Sequence, residues 1–362
     1  MNQLFRWDQT GLFLLALAAG ILPFAVPEIC AAALREGLTL CSGPLLLSLF
    51  PFLVVSRLLI QCPESDLLAL PFRLAAWGIG IRTPCAARVL CIGFLGGFAP
   101  AASAAAQAVR TGQLTAEEAD ALLPACICSG PSFVVLTVGQ SLLGSAELGV
   151  LLFASQITAN YLTAALLNRF AGVRSVKPES AAPASPAPPR LDEILADAAI
   201  TYCKLCGFIL FFRMLAAGAG ALLPAGAGTL CSILLEVCSG CDLASRTGRW
   251  GSLLCCVALS VQGLSVLMQV RTICSPEMTL RPLYRARLLH LPLSLLIFYL
   301  LLPQRAQETF SSLCGRVTTM RRLPPDCALL VFLGCCFVVC ELSRVLAKEL
   351  NQAQRDKVAN QS

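Results

Sequence analysis

Apolar residues in this chain fall in long continuous runs rather than in the alternating or one-faced stripes of a water-soluble protein. The runs cover residues 11–27, 42–62, 119–143, 147–169, 195–216, 250–271, 283–303 and 326–347. Their lengths are near the roughly 20 residues that a helix needs to cross a bilayer. Leu/Ala/Val-rich continuity also speaks against a transmembrane β-barrel, whose strands alternate polar and apolar residues. The pattern predicts an all-α polytopic membrane protein with eight crossings.

Two stretches break the pattern. Residues 86–109 are apolar but crowded with Gly, Ala and Pro, including Gly93, Gly96, Gly97 and Pro100. Such backbone makes a poor continuous helix and predicts a re-entrant helical hairpin. Residues 231–245, with LLEVCSGCDLAS at 234–245, predict a second one. Two of the spans carry internal breakers, Ser129–Gly130–Pro131 and Gln262–Gly263. Thr115 followed by Glu118 predicts a capping box at a helix start. Residues 66–84, with Arg73, Trp77 and Arg82, suit the membrane interface.

A Pro/Ala-rich segment, 171–190, divides the chain and reads as a solvated linker. Each side then has the same order: full span, hairpin, broken span, full span. The expected organisation is an N-terminal helix and interfacial segment (1–41), a first repeat (42–170), the linker, a second repeat (191–303), and a last helix with a charged tail (304–362). Hairpins do not cross, so each repeat crosses three times and the second copy lies upside down. Inverted repeats with broken helices at the midplane mark secondary transporters.

Composition agrees. The 362 residues are 57% hydrophobic and only 13% charged, with mean hydropathy +0.75. Soluble domains carry about 25% charged residues, so a soluble enzyme or a nucleic-acid binder is not expected. The net charge of +6 reflects basic loops. In the eight-crossing arrangement 17 Lys/Arg fall on the side of the N-terminus and seven on the other. Arg281, Arg285 and Arg287 are counted in one loop, and both termini are expected in the cytoplasm. Most of the 20 cysteines sit inside apolar runs, where free Cys behaves as a small apolar residue. Cys203/Cys206 and Cys238/Cys241 have C-x-x-C spacing, but the single histidine, His290, leaves zinc without further ligands. No metal, cofactor or disulfide is expected. His290 itself is expected at the interface.

Candidate site residues come from the breaks. Half-helix N-termini offer free N–H groups and a favourable dipole to anions. That selects Ser129, Gly130 and Ser132 in one half and Ser239 and Gly240 in the other; close helix packing is the alternative role for such small residues. Glu236 is a carboxylate inside an apolar hairpin, where charge is costly and commonly functional. A salt bridge to Lys204 or Arg213 is its structural alternative. Gln262 and Gln269 are seven residues apart and are expected to line a cavity, with Gln156 and Asn160 a similar stripe.

At GQLTAEEADALLPACICSGPSFVVLTVGQSLLGS (112–145), LLEVCSG (234–240) and QGLSVLMQ (262–269), the chain resembles the sporulation integral membrane protein family YlbJ (SpoVV). That family belongs to the nucleoside-recognition, or Gate, domain proteins, similar in architecture to concentrative nucleoside transporters. The resemblance spans about residues 40–303 and implies export of dipicolinic acid, a small organic anion, from the mother cell across the outer forespore membrane during endospore formation. The chain departs from the family pattern at Gly96–Gly97–Phe98–Ala99, at Ile127–Cys128 and at Ser239, where amides or an S-G-Y-P-like turn are usual. Transport of another solute, such as a nucleoside or metal ion, and a structural anchor in a sporulation membrane complex are the alternative functions. The partners expected are a small-molecule substrate and membrane lipid, with no nucleic acid.

Overall fold

A computed structural model describes residues 9–61, 65–171 and 191–302. The expected linker, from residue 172 on, and the last span, 326–347, lie outside the described residues. Among those residues the fold is helical and has no strand. Helices α1 (Gln9–Ala25), α2 (Pro27–Ser42), α3 (Pro44–Gln61), α4 (Ser65–Leu68) and α5 (Leu70–Gly78) lead into a hairpin of α6 (Pro84–Gly96) and α7 (Phe98–Arg110). An interrupted helix follows: α8 (Ala116–Cys126), a non-helical stretch at 127–130, and a π-helical segment, Ser132–Leu142. Helix α9 (Ala146–Ala171) ends this half. The second half has α10 (Leu191–Leu222), a hairpin of α11 (Ala225–Leu235) and α12 (Val237–Ser245), an interrupted helix of α13 (Gly251–Val261) and α14 (Gly263–Ile273), and α15 (Arg281–Leu301).

Local chemistry explains the boundaries. Thr115 and Glu118 form the expected capping box: the Glu118 N–H donates to Thr115 Oγ1 at 3.1 Å and the Thr115 N–H to Glu118 Oε2 at 3.2 Å. Gly97, at φ +81°, supplies the left-handed residue that turns α6 into α7. The second hairpin starts at Ala225, earlier than expected. It turns at Glu236, an extended residue with φ −152° and ψ 126°. The tip of this hairpin is therefore Glu236, and Ser239 and Gly240 lie inside α12. Two successive left-handed residues, Gln262 and Gly263, separate α13 from α14.

Five helical spans are long and apolar enough to cross a membrane: Pro27–Leu47, Ala146–Ala171, Leu191–Leu222, Gly248–Ile273 and Arg281–Leu301. The expected count of eight differs for physical reasons. Helix α1 is only 17 residues long, the apolar helix in the expected 42–62 span is short (Leu49–Ile60), the first interrupted helix is cut by residues 127–130, and one expected span is outside the described residues. Position 27 onward, read from sequence as an interfacial stretch, is instead a full helix.

Packing places the breaks together. The last helices of the two halves, α9 and α15, pack against each other, as do α3 and α10. Helix α7 touches α14, while α12 touches the π-helical segment. Helix α8 touches α15, while α13 touches α9. Exchanging the halves maps the first two contacts onto themselves and the other four onto one another in pairs. Ion pairs Arg57–Asp197 and Arg213–Glu36 tie α3 and α2 to α10. The Asp120 carboxylate accepts from the Thr279 and Leu280 N–H groups at 2.8 and 3.0 Å, so α8 holds the turn that starts α15. On α7 nearly every alanine is buried, and small side chains of this kind let helices approach closely.

Each hairpin tip rests on the break of its own half through glycine. A Cβ on Gly97 would lie 2.6 Å from the Gly130 nitrogen, and one on Gly263 would lie 2.9 Å from both the Glu236 nitrogen and the Leu235 oxygen. Both glycines also have positive φ. Gly263→Ala is therefore expected to combine a left-handed strain of about 1–2 kcal/mol with an overpacking cost of similar size. Gly112→Ala, at φ +69° in open space, should show the strain alone. Thermal unfolding in detergent checks the ordering; equal losses at the two positions would contradict the tip-to-break contact.

Candidate functional site

A cavity of about 60 Å³ lies where both hairpin tips and both interrupted helices meet. Leu45, Leu49 and Phe52 of α3 form one wall. Gly96 and Phe98 come from the first tip, Ser129, Gly130, Ser132 and Phe133 from the first break, and Glu236, Val237 and Cys238 from the second tip. Val266 and Gln269 of α14 close it. The walls are mainly aliphatic and aromatic with a few polar groups, the makeup of a small-molecule site, in a volume well below the roughly 300–1,000 Å³ of such sites. Five expected residues line it: Ser129, Gly130, Ser132, Glu236 and Gln269.

Glu236 is 2% exposed and is the sole charged residue among the described lining residues. As the N-cap of α12, its Oε1 accepts from the Cys238 N–H at 2.8 Å, and its Oε2 from the Ser239 N–H at 2.7 Å and Oγ at 2.9 Å. A carboxylate at a helix N-terminus is stabilised by the dipole and by these donors. The salt-bridge alternative does not hold: Arg213 pairs with Glu36 and Lys204 is exposed. The expectation that the Ser239–Gly240 N–H groups stand free for an anion is corrected as well, since Glu236 takes the Ser239 donors. Gly240 serves packing, its Cα side lying against Ile233 of α11.

Gln269 donates to Ser265 Oγ at 3.0 Å and lines the cavity. Gln262 does not share that face, because it sits in the left-handed break rather than on a helix. Its Nε2 instead donates to the Ile127 carbonyl at 3.4 Å. Gln156 and Asn160 are buried behind the cavity: Gln156 Nε2 donates to Ser260 Oγ at 3.0 Å and Asn160 Nδ2 to the Ile127 carbonyl at 3.2 Å.

Two residues of this polar centre were misplaced by sequence reasoning. Arg287, counted in a basic loop, is 8% exposed in α15. Its Nη2 donates to the Ile127 carbonyl at 2.6 Å and its Nη1 to the Ser260 carbonyl at 3.4 Å. His290, expected at the interface, is 1% exposed, with Nε2 3.3 Å from the Gln156 carbonyl. The available signal was spacing: Arg287, His290 and Ser294 recur at three and four residues and so share one helix face. All 14 cysteines among the described residues are free thiols, and no cluster of metal-ligating side chains occurs there.

Comparison with known proteins gives no matching family model, no matching curated protein and no matching solved structure.

Glu236→Ala leaves the part-buried Cys238 and Ser239 N–H groups without their acceptor and is expected to cost about 2 kcal/mol. Ser239→Ala removes one hydrogen bond and should cost about 1 kcal/mol. Unfolding midpoints of the two purified variants check this; a Glu236→Ala protein as stable as the parent would remove the capping role.

Proposed function

We propose that the chain is a secondary transporter for a small organic solute, built as an inverted repeat and carrying that solute through the cavity between the two hairpin tips. One observation carries the reading: the two tips, the first helix interruption and the half-helix α14 that follows the second border one partly polar cavity that holds a buried carboxylate. Interrupted helices leave backbone groups free at mid-membrane depth, and such backbone is tolerated where it is buried in protein or lines a water-filled space. The contacts that map onto one another when the halves exchange support the repeat. Rocking one half against the other would open the cavity to each side in turn.

In this reading Glu236 faces the solute and can exchange a proton or an ion as the cavity opens. Phe52, Phe98 and Phe133 supply aromatic walls, and the cavity of about 60 Å³ must widen on opening to admit a flat ring. Dipicolinate, the solute implied by the resemblance to the sporulation family, is a dianion and would be repelled by an ionised Glu236. It is carried only with that carboxylate protonated or ion-bound. A second reading, an uncharged hydrogen-bonding solute, is favoured by the lining itself: Glu236 is its sole charge among the described residues, and no lining cation offsets it.

The test is solute flux in proteoliposomes, with dipicolinate and uncharged nucleosides offered in parallel. The wild-type protein should move one class and not the other. Glu236→Gln should insert normally, since it removes an intramembrane charge, yet lose flux by at least ~10-fold, about 1.4 kcal/mol. Normal flux in a well-expressed Glu236→Gln protein would make the carboxylate structural. A folded wild-type protein that moves neither solute would favour the anchor role instead.

A further inference from the structure

The buried guanidinium of Arg287 has an unusual set of partners. It bridges the carbonyls of Ile127 and Ser260. Ile127 directly follows α8, and Ser260 is in the last turn of α13. Both carbonyls thus belong to C-terminal ends of half-helices, one from each half of the chain, where unpaired oxygens and the helix dipole make a negative region. Arg287 lies within 4 Å of no carboxylate among the described residues, unlike Arg57, Arg88, Arg213 and Arg246. The Ile127 carbonyl also accepts from Asn160 and Gln262, which is more donors than its two lone pairs serve well. Meanwhile Arg287 Nε, Gln262 Oε1 and Asn160 Oδ1 are buried without a partner. The side chains of this cluster converge on half-helix carbonyls rather than on one another.

Carbonyls at unwound half-helix ends are the ligands with which secondary transporters hold a coupling cation. We propose that Arg287 is a tethered cation: it fills the carbonyl cluster between the two interrupted helices, in the place a free Na⁺ would otherwise take, and fastens the two halves at that point. The site needs no Na⁺, because the guanidinium supplies the positive charge. A coupling step, if one operates, is then left to Glu236 on the other side of the breaks. The word coupling rests on the transporter reading above, whereas the site itself is tested without any flux measurement.

The experiment is thermal unfolding of detergent-purified full-length protein in NaCl and in choline chloride at equal ionic strength. The wild type should unfold at the same midpoint in both salts. Arg287→Ala should lose about 5 °C or more in choline and regain part of it with Na⁺ or methylguanidinium, which are small enough to enter where choline is not. Arg287→Lys, which keeps the charge, should stay nearer the wild type than the neutral Arg287→Gln. If Arg287→Ala does not fold, the Lys and Gln variants decide alone. A Na⁺-specific rise in the wild-type midpoint would overturn the proposal, as would Lys and Gln variants with equal losses, or an Arg287→Ala protein as stable as the wild type.

Discussion

Backbone that leaves the helix inside an apolar protein must find its hydrogen-bond partners within the protein, and among the described residues the two hairpin tips and the two interrupted helices all face that demand. The cost of an unsatisfied buried amide or carbonyl is about 1–3 kcal/mol each, enough to decide which side chains surround the interruptions. At the first break the Ile127 carbonyl is met by Asn160, Gln262 and Arg287. At the second tip the Cys238 and Ser239 amides are met by Glu236. A cation answers exposed carbonyls and an anion answers exposed amides. The two buried charges of the centre follow from the polarity of the helix ends they cap.

Space imposes the complementary constraint. Tips can rest on breaks only where both surfaces lack side chains, so Gly97 faces Gly130 and Gly263 faces the Leu235–Glu236 peptide. The same device recurs where the π-helical segment meets α9, with Gly139 against Gly149, and where α10 meets α11, with Gly220 against Gly228. Bulkier side chains, Phe52, Phe98 and Phe133, line the cavity left between the tips. Fold and site therefore share one origin: small residues bring the interruptions together, and the interruptions then demand polar partners.

Much of this was legible in the sequence. Gly/Ala/Pro density located the first hairpin, and breaker residues located both interrupted helices. Thr115–Glu118 marked a helix start, and the carboxylate in an apolar stretch marked Glu236. What was not legible depends on partners distant in sequence. Ser239 and Gly240 looked like a break because Ser and Gly are weak helix formers, but the N-cap that starts α12 is Glu236. Arg287 follows Arg281 and Arg285, so composition assigned it to a loop; only the packing of α15 against α8 and α9 brings it to Ile127. Gln262 reads as a helix-face residue seven positions before Gln269, yet its left-handed conformation, φ 62°, takes it off the face.

The central claim is that the cavity between the hairpin tips opens to water from each side of the membrane. The most direct measurement is peptide mapping of native cysteines in proteoliposomes after labelling with a membrane-impermeant thiol reagent added to one face or the other. Cys238 lines the cavity, whereas Cys241 and Cys255 lie nearby in the dry core. The account predicts that Cys238 is modified from either face while Cys241 and Cys255 are spared. Modification from neither face, in protein whose Cys238 is readily modified once unfolded, would contradict it.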